Sequence, residues 1–362
     1  MRVLSCEALV IGAGPAGLSA ASELAACGAD VLLVDEQHAP GGQLVKQIHK
    51  LFGTARHGAG ERGFALAERL VRQAVAHGVR LCAGLRAVGV FEEGVVLAAE
   101  RDELFLTSPS CGVVAVGASE RGSAFPGWTL PGVMTAGAAQ TLVNLHRVAI
   151  GRRVLVVGAG NVGLIVAFQL HQAGISVAAI VESQPRIGGW SVHASKVRRL
   201  GIPILTNTCV VAAHGDEAVS RVTLRTRNSG SPSSDSEQSF DVDSVCLAVG
   251  LTPRTQLPQQ MGCRLGFASA LGGYLPLHDR GMRMTVPGWF VAGDAAGVEE
   301  AAVAMEEGRL AGLGAARRLA KITDIDFQKE ADMVRSTLEA LRSGPFGRGR
   351  SMAKDAICSD RA

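Results

Sequence analysis

The sequence has few aromatic residues and no closely spaced cysteines. Aromatic residues make up 4% of the 362 residues, and there is a single tyrosine. The eight cysteines are scattered, so the sequence contains no CxxC or CxxxxC pair and no zinc-type cluster. Thiol–disulfide exchange needs an attacking thiolate and a resolving thiol, so we do not expect that chemistry, or a metal site, from this chain alone. Unpaired cysteines are typical of buried small hydrophobes in a reducing compartment, and we expect a cytoplasmic protein.

A block of basic residues and a long uninterrupted apolar run are also missing. The net charge is +3 with Lys and Arg dispersed, which argues against nucleic-acid binding. We interpret the short basic run at residues 348–350 as a solvated tail. The most apolar stretch, residues 8–34, is interrupted by glycines, so we expect neither a membrane span nor a signal peptide. With 47% hydrophobic residues, the length predicts two globular domains.

Glycine is abundant, with 45 residues, and its positions near the start of the chain predict a nucleotide-binding unit. The unit consists of an apolar strand at 8–11, the turn Gly12-Ala13-Gly14-Pro15-Ala16-Gly17, a helix at 18–26 and a strand at 31–34. In this Rossmann pattern the first glycine permits a tight turn, the second admits a pyrophosphate, and the third packs helix on strand. Asp35 follows the second strand and can accept hydrogen bonds from a ribose, with Glu36 as the alternative.

A second unit repeats this pattern. It consists of a strand at 154–157, the turn Gly158-Ala159-Gly160-Asn161-Val162-Gly163, a helix at 164–172 and a strand at 177–181 that ends at Glu182. Two dinucleotide sites in one chain imply two dinucleotides that exchange electrons. Glu182 would bind a ribose 2′-hydroxyl and repel a 2′-phosphate, which favours NADH. Arg186 could reach a phosphate and keeps NADPH as the less favoured alternative.

The sequence near the C-terminus predicts a return to the first domain. Residues 288–294 form a buried strand that ends in Gly293-Asp294, and a helix follows at 299–317. An acid between a strand end and a helix N-terminus can hold a ribityl hydroxyl. We therefore predict an α/β fold with two Rossmann-like domains, the NAD(P) domain inserted into a discontinuous FAD domain. The predicted ranges are 1–120 and 276–362 for the FAD domain, 121–150 for a linker and hinge, and 151–275 for the NAD(P) domain.

These motifs resemble the two-dinucleotide-binding flavoproteins of the pyridine nucleotide-disulfide oxidoreductase superfamily, which includes thioredoxin reductase and glutathione reductase. Pro40-Gly41-Gly42-Gln43 and residues 125–134 (FPGWTLPGVM) are similar to the FAD/NAD-binding alpha-type subunits of heteromeric amino-acid dehydrogenases. Those include opine and sarcosine oxidases, dye-linked proline dehydrogenase and hydrogen cyanide synthase. The resemblance implies that Gly42, Gln43 and Gly117 line the flavin, that Asp294 binds the ribityl chain, and that Glu300, Ala301 and Ala302 present a helix N-terminus to its pyrimidine edge.

The sequence departs from these families in its cysteines. Disulfide reductases carry a CxxC in the nicotinamide domain or a CxxxxC after the first unit, and residues 131–143 and 41–52 contain no cysteine. The dehydrogenase subunits often carry a C-terminal cysteine cluster for a [2Fe–2S] centre. Only Cys358 lies in that region here, so we expect any iron–sulfur relay on a separate polypeptide.

Two polar segments are candidates for a functional role. Hydride transfer needs position and electrostatics more than acid–base groups, so a missing triad is expected. In residues 43–57 the candidates are Gln43 and Lys46, followed by His49 and His57; the alternative is a solvated helix or loop. Residues 187–196 either position a partner or the nicotinamide, or form only a glycine turn and the start of a basic helix.

The main functional prediction is an FAD-dependent, NADH-linked oxidoreductase that passes electrons between pyridine nucleotide, FAD and a partner protein. The expected partners are a dehydrogenase or oxidase subunit of an amino-acid dehydrogenase-type complex and a small iron–sulfur protein, in an oligomer. The alternatives are a stand-alone reductase of a quinone or low-potential carrier, and a non-catalytic structural subunit. We also predict a mobile hairpin tip at 227–239 and an amphipathic helix at 327–341.

Overall fold

The computed structural model describes residues 1–99, 103–227, 235–344 and 347–358. The strands within these residues are β1 (Arg2–Val3), β2 (Ala8–Ile11), β3 (Val31–Asp35), β4 (Arg80–Ala83), β5 (Arg86–Phe91), β6 (Gly94–Ala98), β7 (Leu104–Thr107), β8 (Cys111–Val114), β9 (Ala118–Glu120), β10 (Val133–Thr135), β11 (Arg153–Val157), β12 (Ser176–Val181), β13 (Ile204–Leu205), β14 (Thr208–His214), β15 (Arg221–Thr226), β16 (Ser236–Asp241), β17 (Ser244–Leu247), β18 (Leu251–Pro253), β19 (Leu265–Ala268), β20 (Gly273–Pro276) and β21 (Trp289–Val291). The α-helices are α1 (Pro15–Ala26), α2 (Gly63–Ala76), α3 (Ala136–Gln140), α4 (Asn161–Gln172), α5 (Ser191–Arg199), α6 (Gln256–Gln260), α7 (Ala301–Arg318), α8 (Asp324–Leu341) and α9 (Arg348–Ile357). Short 3-10 helices cover Gly42–Lys46, Ala55–His57, Ser269–Leu271 and Gly293–Ala296, and a π-helical turn covers Thr141–Leu145.

The chain divides into two compact units. The terminal unit comprises Met1–Ser119 and Thr252–Ala362, and the inserted unit comprises Glu120–Leu251. This division differs from the predicted ranges, because residues 252–275 belong to the terminal unit and no separate linker covers 121–150. The three-residue strand β10 explains the second difference: it joins the sheet of the inserted unit beside β17, with Val133 opposite Val245. A strand that short gives too little alternation to be recognised in the sequence.

The terminal unit is built on a five-stranded parallel sheet in the order β21-β8-β2-β3-β4. In its centre β2 pairs with β3 and β8, so that Ala8 lies opposite both Val31 and Cys111. The edge strand β21 pairs with β8, which confirms the prediction that the C-terminal part of the chain completes the first domain. All four residues of β2 are buried, as expected for a strand covered on both faces.

Two different layers cover this sheet. One face carries Val10 and Leu33, which pack with Leu18 of α1 and Leu310 of α7 in the main core. The opposite face packs against a four-stranded sheet in the order β1-β7-β6-β5, through a cluster that includes Leu97. The close approach of α7 to α1 depends on glycine, since a Cβ on Gly308 would lie 2.1 Å from the Ala16 carbonyl oxygen.

The inserted unit repeats the parallel sheet on its own core. Its strand order is β10-β17-β11-β12-β13, and a three-stranded sheet, β14-β15-β16, adds to it. Strands β15 and β16 are antiparallel, with Thr226 opposite Ser236, and flank the predicted hairpin tip. Residues 236–239 of that predicted loop are part of β16, and residues 228–234 lie outside the described residues.

Two helices end the described chain. Helix α8 starts at Asp324, where the Thr323 hydroxyl accepts a hydrogen bond from the Asp326 N–H at 3.1 Å. Helix α9 replaces the solvated tail predicted around residues 348–350, and its Lys354 is only 4% exposed. The prediction was wrong because the contacts that hold α9 join residues far apart in the chain: Lys354 pairs with Glu307, and Ile357 packs with Leu271 and Leu275. Among the described residues, no helix is both long and apolar enough to cross a bilayer.

Candidate dinucleotide-binding sites

The first glycine turn connects β2 to α1. Gly12 has φ +104°, and a Cβ there would lie 2.4 Å from the Ala115 carbonyl oxygen. A Cβ on Gly17 would lie 1.7 Å from the Gly12 carbonyl oxygen. Both positions therefore require glycine for the backbone to fold at all.

Gly14 differs, because the space beside it is open. The nearest atom to a Cβ at this position is the Gly42 Cα, at 3.9 Å. Gly14 is the N-cap of α1, and among the described residues no side chain caps this helix end. The open space and the uncapped N–H groups of Ala16 and Gly17, behind Pro15, fit a bound pyrophosphate.

The acid at the end of β3 holds the glycine turn. Asp35 accepts hydrogen bonds from the Ala13 N–H at 2.5 Å and the Gln37 N–H at 2.8 Å. Glu36 instead forms an ion pair with Arg254 at 3.2 Å. The structure thus brings Asp35, rather than Glu36, into contact with the turn, where its remaining lone pairs can accept ribose hydroxyls.

The Pro40–Gln43 motif lies against the same turn. The Gly41 N–H donates to the Ala13 carbonyl oxygen at 2.8 Å, and a Cβ on Gly42 would lie 2.8 Å from the Gly14 Cα. Gln43 is exposed and Lys46 is partly buried, both in the 3-10 helix Gly42–Lys46.

The histidines of the following stretch are placed differently from each other. His49 is partly buried, whereas His57 is 2% exposed. The ring nitrogens of His57 lie 2.9 Å from the Thr54 hydroxyl and 2.9 Å from a carboxylate oxygen of Glu306. His57 is therefore a buried structural group that holds Glu306, and it lies on neither a solvated helix nor a solvated loop.

Gly293 and Asp294 follow β21 and reach the first residues of α1. Gly293 has φ +69°, and a Cβ on it would lie 2.7 Å from the Ala16 Cβ. The Asp294 carboxylate accepts a hydrogen bond from the Glu299 N–H at 3.3 Å. Burial raises the pKa of Asp294 to about 7, and the carboxylate of Glu307 adds to the shift, although the Glu299 N–H opposes it. A carboxylate held in this way has an unmet need for hydrogen-bond donors, which sugar hydroxyls would satisfy.

A buried ion network supports Gly293 and Asp294, and sequence reasoning missed it. Glu307 is 1% exposed and accepts a hydrogen bond from the Gly293 N–H at 3.0 Å. It also pairs with Arg342 at 2.5 Å and Lys354 at 2.8 Å. Burial alone would raise the pKa of Glu307, but these two cations outweigh it and lower the pKa below its usual range. The one possible signal was a pair of adjacent acids, Glu306 and Glu307, inside a helix of small apolar residues.

The remaining predicted flavin-lining residues lie at element ends of the same unit. Gly117 follows β8 with φ +69°, and among residues 1–99, 103–227, 235–344 and 347–358 no atom lies within 4 Å of its Cβ position. Glu300 is the N-cap of α7 and pairs with Arg350 of α9 at 2.7 Å. Ala301 and Ala302 form the first turn of α7, so they place free N–H groups there.

The second glycine turn, together with the acid Glu182, repeats the first within the inserted unit. We call each glycine turn with its acid a cradle: the first contains Gly12–Gly17 and Asp35, and the second contains Gly158–Gly163 and Glu182. A Cβ on Gly158 would lie 2.3 Å from the Ala248 carbonyl oxygen, and one on Gly163 would lie 1.9 Å from the Gly158 carbonyl oxygen. The position beside Gly160 is open. Glu182 accepts from the Ala159 N–H at 2.9 Å, as Asp35 does from Ala13.

The residues predicted to bind NAD around the second cradle differ in hydrogen bonding and in exposure. Asn161 accepts a hydrogen bond from the Trp190 N–H at 2.8 Å, while Val162 is 38% exposed. Arg186 is exposed, and the Glu182 carboxylate is fixed by a second bond, from the Gln184 N–H at 3.0 Å. The acid is thus held at the glycine turn, and the arginine is at the surface.

Burial makes five of the eight cysteine thiols harder to ionise. Burial raises the pKa of Cys111 to about 11 and that of Cys246 to about 12, so these thiols stay protonated at neutral pH. Burial also raises the pKa of Cys6, Cys27 and Cys358. In the described part of the chain there is also no cluster of three or more His, Cys, Asp or Glu that could hold a metal ion.

Comparison with known proteins gives the family. Residues 7–308 match the family described as pyridine nucleotide-disulphide oxidoreductase, and the chain belongs to it. It is an FAD-dependent oxidoreductase, in a family of FAD- and NAD(P)-binding flavoproteins.

Among curated proteins, the chain is similar to proteins that are named as enzyme subunits. It is 30% identical to an opine oxidase subunit of Agrobacterium tumefaciens (strain Ach5), over 98% of this chain and 73% of that protein. It is 29% identical to the HcnB subunit of hydrogen cyanide synthase of Pseudomonas aeruginosa, over 94% of this chain and 77% of that protein.

Solved structures share the fold. L-proline dehydrogenase from P. horikoshii has a TM-score of 0.73 and 23% identity, over 94% of this chain and 59% of that chain. T. acidophilum thioredoxin reductase has a TM-score of 0.70 and 22% identity, over 87% of this chain and 99% of that chain. These matches confirm the predicted two-domain α/β architecture.

Proposed function

We propose that this chain is an NADH-linked flavoprotein subunit that passes electrons between pyridine nucleotide, FAD and a partner protein, in a complex that oxidises an amino acid or N-alkyl amino acid. One observation carries the proposal: the chain has two glycine cradles of the same construction, each with an acid bonded to the second residue of the turn. A protein that only bound FAD would have no use for the second cradle.

In the terminal unit the residues would hold FAD through its phosphates and sugars. The open space beside Gly14 and the free N–H groups of α1 suit the pyrophosphate, and Asp35 suits the adenosine ribose. Asp294 suits a ribityl hydroxyl, and the start of α7 suits the pyrimidine edge of the flavin. Bound FAD supplies the hydride chemistry, while the residues of the chain bind it and keep it oriented.

In the inserted unit the charges favour NADH over NADPH. Glu182 is fixed at the glycine turn by two backbone N–H donors, so its negative charge lies where a 2′-phosphate would have to enter. Arg186, which could reach a phosphate, is exposed and lies further along the loop than Glu182.

The partner is inferred from two features. Two relatives that match most of this chain are named as subunits, of opine oxidase and of hydrogen cyanide synthase. The chain also has no paired cysteines to pass electrons onward by disulfide exchange. A dehydrogenase or oxidase subunit, with a small iron–sulfur protein as relay, would take this role.

Anaerobic titration of the purified chain with NADH, and separately with NADPH, tests the proposal. We expect NADH to bleach the oxidised flavin band at about 450 nm, with NADPH less effective. Flavin that binds but is reduced by neither nucleotide would contradict NADH-linked transfer by this chain. Rapid steady turnover with a quinone and no partner would instead favour a stand-alone reductase.

A further inference from the structure

The segment at residues 187–190 lies directly against the glycine turn of the second cradle. The Gly189 N–H donates to the Ala159 carbonyl oxygen at 2.9 Å, and the Trp190 N–H donates to the Asn161 side chain at 2.8 Å. These two bonds tie the segment to the residues on either side of Gly160. The glycine turn predicted for this segment is therefore part of the wall of the cradle.

The contact requires glycine at position 189 for packing. Gly189 is buried, and a Cβ there would lie 2.6 Å from the Leu164 Cδ1 and 2.9 Å from the Gly160 carbonyl carbon. No side chain fits in this position without moving the turn.

Packing does not explain the glycine at position 188. Gly188 is exposed, and the nearest atom to a Cβ built on it is the Gly160 Cα, at 4.0 Å. In the part of the chain that the structure describes, no atom lies within 4 Å of the Cβ position of Gly160 itself. An alanine would fit at 188 in the protein as it stands, and its methyl group would point towards the open space beside Gly160.

The terminal unit contains a related contact, in which the glycine beside the turn follows the donor residue instead of preceding it. There the Gly41 N–H donates to the Ala13 carbonyl oxygen at 2.8 Å. A Cβ on Gly14 would have the Gly42 Cα as its nearest neighbour, at 3.9 Å. In each unit, the loop that follows the acid donates a backbone N–H to the second residue of the glycine turn. The same loop places the Cα of a glycine next to the middle glycine of that turn.

We propose that residues 187–190 form a second side of the nicotinamide dinucleotide site, with the pyrophosphate lying across the adjacent backbones of Gly160 and Gly188. Gly189 and Trp190 hold the two backbones side by side, and Gly188 stays without a side chain so that the phosphates can approach the surface they form. This inference rests on the proposed binding of NADH by the inserted unit, and it assigns a ligand-contact role to a segment outside the glycine fingerprint.

Gly188→Ala tests the proposal, because the added methyl is tolerated by the free protein. We expect the Kd for NADH and for ADP to rise by about 10-fold or more, since one methyl group in a filled site is worth at least that. The Kd for adenosine, which has no phosphate, should stay unchanged in saturation-transfer NMR. Gly122→Ala is the matched control, because Gly122 is exposed in the same unit and its Cβ would meet only Trp128, at 3.5 Å.

The possible results separate this inference from the proposed function. One result would contradict the inference while leaving the proposed function intact. Wild type would bind NADH, and the Kd values of Gly188→Ala for NADH and ADP would equal those of Gly122→Ala, so Gly188 would not lie at the pyrophosphate. If Gly188→Ala weakens adenosine as much as ADP, the methyl disturbs the whole site and the pyrophosphate assignment fails. If wild type binds neither NADH nor ADP, the proposed function fails first, and this inference with it.

Discussion

At the scale of single residues, Asp35 and Glu182 accept equivalent backbone hydrogen bonds with side chains of different length. Each carboxylate accepts a hydrogen bond from the second residue of its glycine turn and another from a residue two positions further along the chain. Each acid therefore shapes its own cradle before any nucleotide arrives. The longer Glu182 reaches the same donor from the end of its strand.

Removal of the Glu182 carboxylate should relax the choice of nucleotide. In Glu182→Ala we expect the Kd for NADH to rise about 10-fold and the preference for NADH over NADPH to shrink, because both the ribose acceptor and the repulsive charge are lost. Binding titrations with the two nucleotides measure this. Arg186→Ala is the companion variant, and a larger change in preference there than in Glu182→Ala would move the determinant to the arginine.

Asp294 should make FAD binding depend on pH. Its pKa is raised to about 7 in the folded chain, and hydroxyl donors favour the ionised form, so FAD binding should release a proton below that pH. We expect the Kd for FAD to fall as pH rises from 5 to 8, by less than about tenfold per pH unit. Asp294→Asn keeps an oxygen for the Glu299 N–H but cannot ionise, so its Kd should be nearly flat.

The raised pKa of Asp294 also predicts how the stability of the flavin-free protein depends on pH. A carboxyl whose pKa is raised on folding stabilises the fold fully below its unfolded pKa of about 3.9, and this contribution is lost as pH rises through about 7. The melting temperature should therefore drop more between pH 5 and 8 in wild type than in Asp294→Asn. Equal drops in the two proteins would show that other groups set the slope.

At the scale of elements, the contact between α1 and α7 depends on residues without side chains. Gly308→Ala would place a methyl 2.1 Å from the Ala16 carbonyl oxygen, so the helices must separate. We expect a loss of about 1–3 kcal/mol in the free energy of unfolding, measured by denaturant titration. In Gly349→Ala the methyl on α9 meets no atom of the described residues within 4 Å, and this control should be neutral or slightly stabilised.

The C-terminal helix α9 contributes the buried cation of the ion network. Lys354→Met leaves Glu307 with one of its two cations, and breaking a buried pair costs about 3–5 kcal/mol. Because Glu307 also holds the Gly293 N–H, FAD retention should fall together with the melting temperature. Arg335→Met breaks only the more exposed pair with Asp332, and its effect should stay below about 1 kcal/mol.

These elements also mark what the sequence could and could not predict. The glycine turns and central strands were predictable because their signals are local: apolar runs, glycine spacing and an acid at a strand end. Helix α9 and the pairs that Lys354 and Arg342 make with Glu307 were not, because they join residues far apart in the chain. The burial of His57 was hidden for the same reason, since its partner Glu306 lies in α7.

At the scale of the whole molecule, each cradle is complete within its own unit. The residues around Gly14, Asp35 and Asp294 all belong to the terminal unit, and those around Gly160 and Glu182 to the inserted unit. The two binding reactions should therefore be separable by mutation, although electron transfer requires both.

Asp294→Ala should lower FAD retention after gel filtration and leave the Kd for NADH within about twofold of wild type, because the two sites share no residue. Glu182→Ala should retain FAD fully. Both variants should lose most of the NADH-dependent bleaching of flavin at low nucleotide concentration. Wild-type flavin content in Asp294→Ala would contradict the role of this residue.

The position of β21 at the edge of the first sheet has a consequence during synthesis. Strand β8 is made before the inserted unit, and β21 and α7 only after it, so the N-terminal segment leaves the ribosome without its last strand and without the partner of α1. At 5–20 residues per second this delay lasts roughly 10–35 s. During that time the face of α1 that carries Ala16 and Ala20 is open to water or to a chaperone. The inserted unit can fold ahead of the domain that encloses it in the sequence.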